Sequence, residues 1–422
     1  MVRRSLLVDI RPLTQSPAFR RLWLGSGLSS VGNQMTTFAV ALQVYTLTHS
    51  SAAVGGVGLA MALPAILFGL VGGSIVDAVD RRRLVLVTST FLAGVSAAFA
   101  VQAFAGLDRV WPLYLLVAVQ SLLSSVNAPA RSTFMPRLLA PERVPAGVAL
   151  NMLLAHGSVT IGPALAGVVT AVWGLKACYL IDAVSFGAAL YGVARLPAMP
   201  PGEGAARPGL RAVVDGLRYI QGNRIVLGAL LADMSATVLG MPFALFPAIN
   251  AARFGGSPQT LGLLTSAVAV GGVIGSTLSG PAGRVSRQGR AMLIAGAVWG
   301  AGIAGFGLAH SLPLALGALA VAGIADVTSV VFRTTIVQVL TPDRYRGRVN
   351  AAQYVVGSGC PQLGNFRAGA IGSLTSPGIS AVSGGLAVIA GAALIGLTVP
   401  ALVRQRAPRP AETAAAPESV PA

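Results

Sequence analysis

The chain alternates long apolar stretches with short segments that contain Arg, Pro and Gly. A helix needs roughly 20 apolar residues to cross a hydrocarbon layer of about 30 Å, and the stretches reach that length. The pattern predicts an all-α membrane protein with twelve transmembrane helices, at about residues 20–46, 54–76, 84–106, 111–139, 147–173, 176–196, 224–252, 258–283, 291–309, 312–340, 348–372 and 378–402.

The composition agrees with this pattern and excludes most classes of soluble protein. Charged residues make up 10% of the chain, whereas soluble domains carry roughly 25%. The net charge of +17 comes from small groups of Arg, and no basic tract is long enough for a nucleic-acid surface. Cys178 and Cys360 both lie inside apolar stretches, so neither a disulfide nor a thiolate metal site is predicted. We expect a monomer in the lipid bilayer with a small-molecule substrate, no nucleic-acid partner and no cofactor.

The distribution of basic residues predicts the orientation of the chain. Of the 30 Lys and Arg residues, 26 lie at the termini or in loops on one side of the predicted spans. Basic residues that flank spans accumulate on the cytoplasmic side. Both termini are therefore predicted to be cytoplasmic, in a multi-pass protein of the cell (inner) membrane.

The break between the sixth and seventh spans divides the chain into two sets of six. We predict an N-terminal six-helix bundle at 1–196, a cytoplasmic linker at 197–223, a C-terminal six-helix bundle at 224–402 and a disordered cytoplasmic tail at 403–422. Within the linker, the apolar residues between Leu210 and Ile220 recur at helical spacing. That spacing predicts a short amphipathic helix on the membrane surface.

An internal repeat relates the two predicted bundles. Arg131-Ser-Thr followed by Pro141-Glu-Arg corresponds to Arg333-Thr-Thr followed by Pro342-Asp-Arg, at the cytoplasmic ends of the fourth and tenth spans. Parallel repeats of this kind place two pseudo-symmetric bundles side by side about an axis along the membrane normal.

The loop after the second span resembles a known family signature. Gly73-Ser-Ile-Val-Asp77-Ala-Val-Asp80-Arg81-Arg82-Arg83 is similar to the loop motif Gly-x-x-x-Asp-Arg/Lys-x-Gly-Arg-Arg/Lys of the major facilitator superfamily, from which Ala78 and Asp80 depart. The resemblance extends from about residue 17 to 404. Segments such as Gly240-Met-Pro-Phe-Ala-Leu-Phe-Pro are similar to the branch that contains the enterobactin exporter and related drug exporters.

The loop motif predicts a latch between the bundles on the cytoplasmic side. Gly73 allows a helix to approach closely, and Asp77 can accept hydrogen bonds from a helix N-terminus. We assign the latch to Gly73, Asp77, Arg81, Arg82 and Arg131. The alternative is that Asp77 only offsets the neighbouring Arg charges.

The fifth span resembles the antiporter signature of the superfamily. Ser158-Val-Thr-Ile-Gly162-Pro163-Ala-Leu-Ala-Gly167 keeps small residues at the signature's Gly positions, which permits close helix contact, and Pro163 bends the helix. The resemblance implies export coupled to an opposing gradient. The alternative is a packing seam without directional meaning.

Four titratable residues within predicted spans are candidates for proton coupling, because a charge at mid-bilayer is expensive. Asp233 lies near the middle of the seventh span and is the first choice. His156, Asp182 and Asp326 are further candidates, each with a structural alternative. For Asp326 that alternative is an ion pair with Arg333 on the same helix.

Polar side chains in other spans predict the wall of a substrate cavity. The candidates are Asn33, Gln34, Thr37, Gln120 and Gln338. Arg367, near the outer end of the eleventh span, is predicted to extend to the membrane interface, and anion binding is the alternative.

Taken together, these patterns predict a secondary active transporter, a proton-coupled exporter of a small amphipathic molecule such as a siderophore or a drug. The proton gradient would supply the energy, because no Gly-x-x-x-x-Gly-Lys-Ser/Thr sequence occurs. A membrane enzyme is disfavoured because His and carboxylate residues do not cluster. A transporter-like sensor, or an uptake carrier without proton antiport, remains the alternative.

Overall fold

A computed structural model describes residues 9–197, 216, 218–279 and 285–405, without the side chains of residues 69–78, 343, 344, 347, 351, 352, 354 and 355. All regular structure in these ranges is helical. The long helices are α1 (Pro17–Thr48), α2 (Ser51–Ala78), α3 (Arg81–Phe104), α4 (Trp111–Ser132), α5 (Val144–Trp173), α6 (Leu175–Ala194), α7 (Arg224–Gly240), α8 (Pro258–Leu278), α9 (Gln288–Leu308), α10 (Leu312–Leu340), α11 (Asp343–Leu374) and α12 (Pro377–Thr398).

Ten helical segments of the described chain are long and apolar enough to cross a membrane. The long helices outside this set are α1 and α11, each of 32 residues, in which polar residues interrupt the apolar ones. Polar positions on long membrane helices typically face other helices or a cavity and not lipid.

Side-chain caps define where several helices begin. Ser16, Ser50, Ser257 and Ser376 each accept a hydrogen bond from a backbone N–H in the first turn of the helix that follows. Asp80 does the same for α3, accepting from the Arg83 N–H at 2.8 Å. Such caps satisfy donors that lack a partner within the helix. Asp80, where the loop motif has Gly, is thus explained by its role as a helix cap.

The helices pack mainly within two groups, α1–α6 and α7–α12. Two contacts join the groups extensively, α2 with α11 and α5 with α8. Glycines allow the second of these contacts: a Cβ on Gly167 would lie 2.6 Å from the Pro258 carbonyl oxygen, and one on Gly262 would lie 2.7 Å from that of Pro163. Close backbone approach through small residues is a common way for membrane helices to associate.

The predicted seventh span is broken in the structure. The helix α7 ends at Gly240, and after Met241 and Pro242 the chain continues as a short 3-10 turn and the helix Phe246–Arg253. The guanidinium of Arg367 donates hydrogen bonds to the carbonyl oxygens of Val238 and Leu239, which the break leaves without helical partners. The prediction that Arg367 extends to the interface was therefore wrong.

The predicted linker helix and tail lie largely outside the described residues. At the end of the linker, the Tyr219 hydroxyl donates to the Leu340 carbonyl oxygen at 2.7 Å, and its ring stacks on Tyr345 with centroids 4.7 Å apart. Ile220 is buried beside them. This last part of the linker therefore packs on the connection between α10 and α11.

Candidate functional site

A cavity of about 430 Å³ lies between the two groups of helices. Its walls come from α1, α2 and α5 on one side and from α8, α10, α11 and the segment after the α7 break on the other. Most of the wall is apolar. The polar side chains that line it are Gln34, Thr37, His156, Thr265, Asp326, Gln362 and Asn365. A largely apolar cavity with a few polar groups is the usual form of a small-molecule site.

Hydrogen bonds join the start of α2 to the end of α11 at one end of the molecule. Ser373, at the end of α11, accepts from the Ala52 N–H at 2.8 Å and lies 3.2 Å, oxygen to oxygen, from the Ser50 hydroxyl. The carbonyl oxygen of Asn365 would lie 2.9 Å from a Cβ on Gly55, so the helices also touch through their backbones. This is the end that the charge distribution predicts to be external.

An ion pair lies between α7 and α10. The Arg333 Nη1 atom is 3.0 Å from the Asp233 Oδ2 atom, and each side chain is only 12% exposed. Asp326 is two turns before Arg333 on α10 and interacts electrostatically with both partners of the pair. With both carboxylates ionised, the cluster of Asp233, Asp326 and Arg333 carries one net negative charge.

The members of this cluster differ in their access to the cavity. Asp326 lines the cavity, whereas Asp233 and Arg333 are not among the lining residues. The sequence offered Arg333 as a partner of Asp326 along one helix. The structure places the direct contact across two helices, with Asp233. Two of the four predicted coupling residues, Asp233 and Asp326, are thus brought together.

His156 and Asp182 lie apart from this cluster. His156 is exposed and lines the opposite wall of the cavity, on α5. Asp182 is fully buried where α6 packs on α1 and α3, and its Oδ2 atom accepts hydrogen bonds from Thr36, at 2.8 Å, and from Ser96. Its environment is a polar cluster inside the N-terminal group and not the cavity.

The predicted cavity residues divide between three places. Gln34 and Thr37 line the cavity. The Gln120 amide donates to Asn33 Oδ1 at 2.8 Å, which joins α4 to α1. Gln338 lines a second cavity of about 480 Å³ near the connection between α10 and α11, together with Arg346 and Asn350.

The residues of the antiporter-like seam lie on the inner faces of α5. Ser158, Gly162, Pro163 and Gly167 are all buried. A Cβ on Gly162 would lie 2.5 Å from the Gln34 Cβ atom, so this glycine allows α1 to approach α5. Pro163 and Gly167 face α8, as described above. The seam is thus in contact with both the N-terminal and the C-terminal group.

The predicted latch is described only in part. The structure describes Gly73 and Asp77 only through the backbone of α2, and Arg81 is the first residue of α3. The Arg82 Nη2 atom donates to the Ala194 carbonyl oxygen at 2.6 Å. Arg131 donates to the hydroxyls of Ser26, at 2.9 Å, and Ser89, at 3.1 Å. These two arginines therefore contact α1, α3 and the end of α6.

Several cavity residues were missed in the sequence, namely Thr265, Gln362 and Asn365. Gln362 and Asn365 are three positions apart on α11, one helical turn, which is the spacing of residues on one face. That spacing next to Pro361 was the available signal.

The comparisons with known proteins agree with this architecture. The family model that matches residues 9–418 carries the description "transmembrane secretion effector". The chain is 27% identical over 414 residues to the enterobactin exporter EntS of Citrobacter koseri, covering 97% of this chain and 98% of that protein. The EntS protein of Shigella boydii is 27% identical over 420 residues, covering 98% and 99%.

Solved structures with the same fold are transporters. The nucleoside transporter NupG aligns with a TM-score of 0.72 at 14% identity, over 92% of this chain and 99% of that one. A bacterial homologue of the iron transporter ferroportin, in an inward-facing state, aligns with a TM-score of 0.68 at 17% identity, over 92% and 99%. The likeness to these structures shows the fold alone. With the family match over nearly the whole length, these findings show that the chain belongs to the transmembrane secretion effector family of the major facilitator superfamily, a family of multi-pass membrane transporters.

Proposed function

We propose that this protein is a proton-coupled secondary exporter of a small amphipathic molecule, and that it works by alternating access. Its α1–α6 and α7–α12 groups would form two six-helix bundles of twelve transmembrane helices in total. The relatives named as enterobactin exporters support the direction of transport.

The observation that carries the proposal is the cluster of Asp233, Asp326 and Arg333 beside the cavity. Its single net negative charge is unfavourable in a membrane interior. One proton neutralises it. A site that holds either this proton or the substrate, and not both at once, would exchange a proton for substrate, which is the requirement of antiport.

The contacts between the two groups supply surfaces on which such bundles can move. In the α5–α8 contact the backbones approach closely at Gly167 and Gly262, and the α2–α11 contact combines backbone packing with a few hydrogen bonds at one end. A few bonds of about 1 kcal/mol each can be broken when substrate or proton binding favours the other state.

The protein would lie in the cell membrane with both termini in the cytoplasm. The excess of Arg in alternate loops supports cytoplasmic termini in the cell membrane. We further propose that the carrier is monomeric and uses the proton gradient without a cofactor.

Flux measurements in proteoliposomes test the proposal. A panel of small amphipathic molecules that includes enterobactin is offered to vesicles with and without an imposed pH gradient. We expect accumulation of at least one of them in the wild type only with the gradient, and loss of that dependence in Asp233→Asn and Asp326→Asn.

Asp182→Asn is the matched control, because it also replaces a carboxylate of the membrane interior but lies outside the cavity. It should retain gradient-driven flux. Wild-type flux in both Asp variants, or flux that ignores the gradient in the wild type, would contradict proton coupling. Binding without flux would support the sensor, and accumulation with the opposite gradient would support an uptake carrier.

A further inference from the structure

We infer that the cavity selects cationic amphipathic molecules and binds their positive charge at Asp326. This inference rests on the proposed function only in taking the cavity between the two helix groups as the transport site. It concerns the charge of the substrate, which neither the family description nor the names of the relatives specify.

Among the described residues, the cavity wall has a negatively charged side chain but no Lys or Arg. Asp326 is the only carboxylate among the residues that line the cavity in the described part of the chain, and neither Lys nor Arg lines it. The other titratable lining residue is His156, on the opposite wall. An anionic ligand would therefore lie beside a carboxylate without a lining cation to pair with it, and a cationic ligand would find a counter-ion.

The neighbouring arginine does not remove this asymmetry. The guanidinium of Arg333 is 3.0 Å from Asp233, so its charge is directed to that carboxylate. Arg333 also interacts electrostatically with Asp326, but Asp233 does so with the opposite sign. The two effects oppose each other, and the cluster as a whole remains one positive charge short of neutrality.

The rest of the wall suits an amphipathic cation. Phe38, Phe243 and Phe246 line the cavity. The faces of aromatic rings attract cations, and their area buries apolar groups of a ligand. Gln34, Gln362 and Asn365 add neutral amides that can hydrogen-bond to a ligand of either charge. The volume of about 430 Å³ is within the range of drug-sized sites, which span roughly 300 to 1,000 Å³.

A pair of ions with the same shape and opposite charge tests the inference. Tetraphenylphosphonium and tetraphenylborate both carry four phenyl rings around one central atom, so they differ mainly in the sign of the charge. Binding of each to the purified full-length protein is measured by equilibrium dialysis in detergent, without a gradient, against protein-free micelles. We expect the wild type to bind the phosphonium at least tenfold more tightly than the borate.

Variants of Asp326 assign the preference to this residue. Asp326→Asn should weaken phosphonium binding about tenfold and leave borate binding equal or tighter, whereas Asp326→Glu should keep the preference for the cation. Asp182→Asn, which replaces a buried carboxylate outside the cavity, should also keep it. Thermal unfolding in the same detergent identifies any variant that fails to fold, and Asp326→Glu then still tests the inference through the sign of its preference.

The outcomes separate this inference from the proposed function. Equal binding of the two ions by the wild type, or an unchanged preference in Asp326→Asn, would overturn the selection of cations at Asp326 even if gradient-driven flux of another molecule were found. A preference for the cation that disappears in Asp326→Asn, together with flux that ignores the pH gradient, would support the inference and overturn proton coupling alone.

Discussion

Ser373, in the last turn of α11, accepts a hydrogen bond from the backbone N–H of Ala52, in the first turn of α2, at 2.8 Å. The first N–H groups of a helix have no partner within it, so side chains or water must satisfy them. Here part of the cap comes from the other group of helices. The hydrogen bond therefore requires that the two groups stay in contact at this end, which the proposed alternating access would interrupt.

Ser373→Ala should favour opening of that end. Loss of a capping side chain costs about 1 kcal/mol, and here the cost falls on the closed state only. Spin labels at Leu107 and His310, in loops of the two groups at the same end, would report a larger share of long distances. Ser257→Ala is the control, because Ser257 caps α8 from within its own group. An equal shift in both variants would contradict the prediction.

The ion pair between Asp233 and Arg333 should be costly to break from one side. Arg333→Gln leaves a largely buried carboxylate without its partner, and such changes cost about 3 to 5 kcal/mol. The double variant Asp233→Asn/Arg333→Gln should recover much of that stability, because it removes both charges. Thermal unfolding of the four proteins in one detergent forms a double-mutant cycle. Additive losses would show that the pair does not stabilise the fold.

The buried Asp182 should tolerate an amide. The hydroxyls of Thr36 and Ser96 both donate to one oxygen of Asp182, and the amide oxygen of Asn can still accept from them. Asp182→Asn should therefore keep gradient-driven flux. Asp182→Ala leaves two buried donors unsatisfied and should lower stability by about 1 to 3 kcal/mol for each. Loss of proton coupling in Asp182→Asn, with normal stability, would instead make Asp182 a proton carrier.

A methyl group in the α5–α8 seam should impair transport. In Gly262→Ala the new Cβ would lie 2.7 Å from the Pro163 carbonyl oxygen, so one of the two backbones must move. We expect normal amounts of protein in the membrane and at least tenfold slower flux. Gly187→Ala, on α6, meets nothing within 4 Å and serves as the control. Normal flux in Gly262→Ala would show that the seam tolerates separation.

The orientation of the chain has a direct test. Reporter fusions at Arg82, Glu203 and Arg287 should read cytoplasmic, and fusions at Asp108 and Ser257 should read external. The physical basis is the excess of basic residues in alternate loops. An external signal at Glu203 would contradict the division into six spans and six.

The sequence alone determined the membrane class, the helical fold and the superfamily. Long apolar stretches predict membrane helices because a span must satisfy its own backbone groups, a requirement that depends on local sequence only. The small residues of α5 likewise predicted a close helix contact. Arg82 and Arg131 could be named from the loop motif and the repeat, but not their acceptors on other helices.

Only the tertiary structure decided which polar residues meet. Asp233 and Arg333 are separated by 100 positions in the chain, and their contact depends on how α7 and α10 pack. Asn33 and Asp182 are both polar residues inside apolar stretches. In the structure Asn33 is a hydrogen-bond partner of Gln120, and Asp182 is the centre of a buried polar cluster. The break in α7 also depends on a contact between distant helices. Arg367 on α11 donates hydrogen bonds to the carbonyl oxygens of Val238 and Leu239, which have no helical partners. Helical periodicity assigns a residue to a face, and the crossing of helices from distant parts of the chain assigns that face to lipid, to protein or to the cavity.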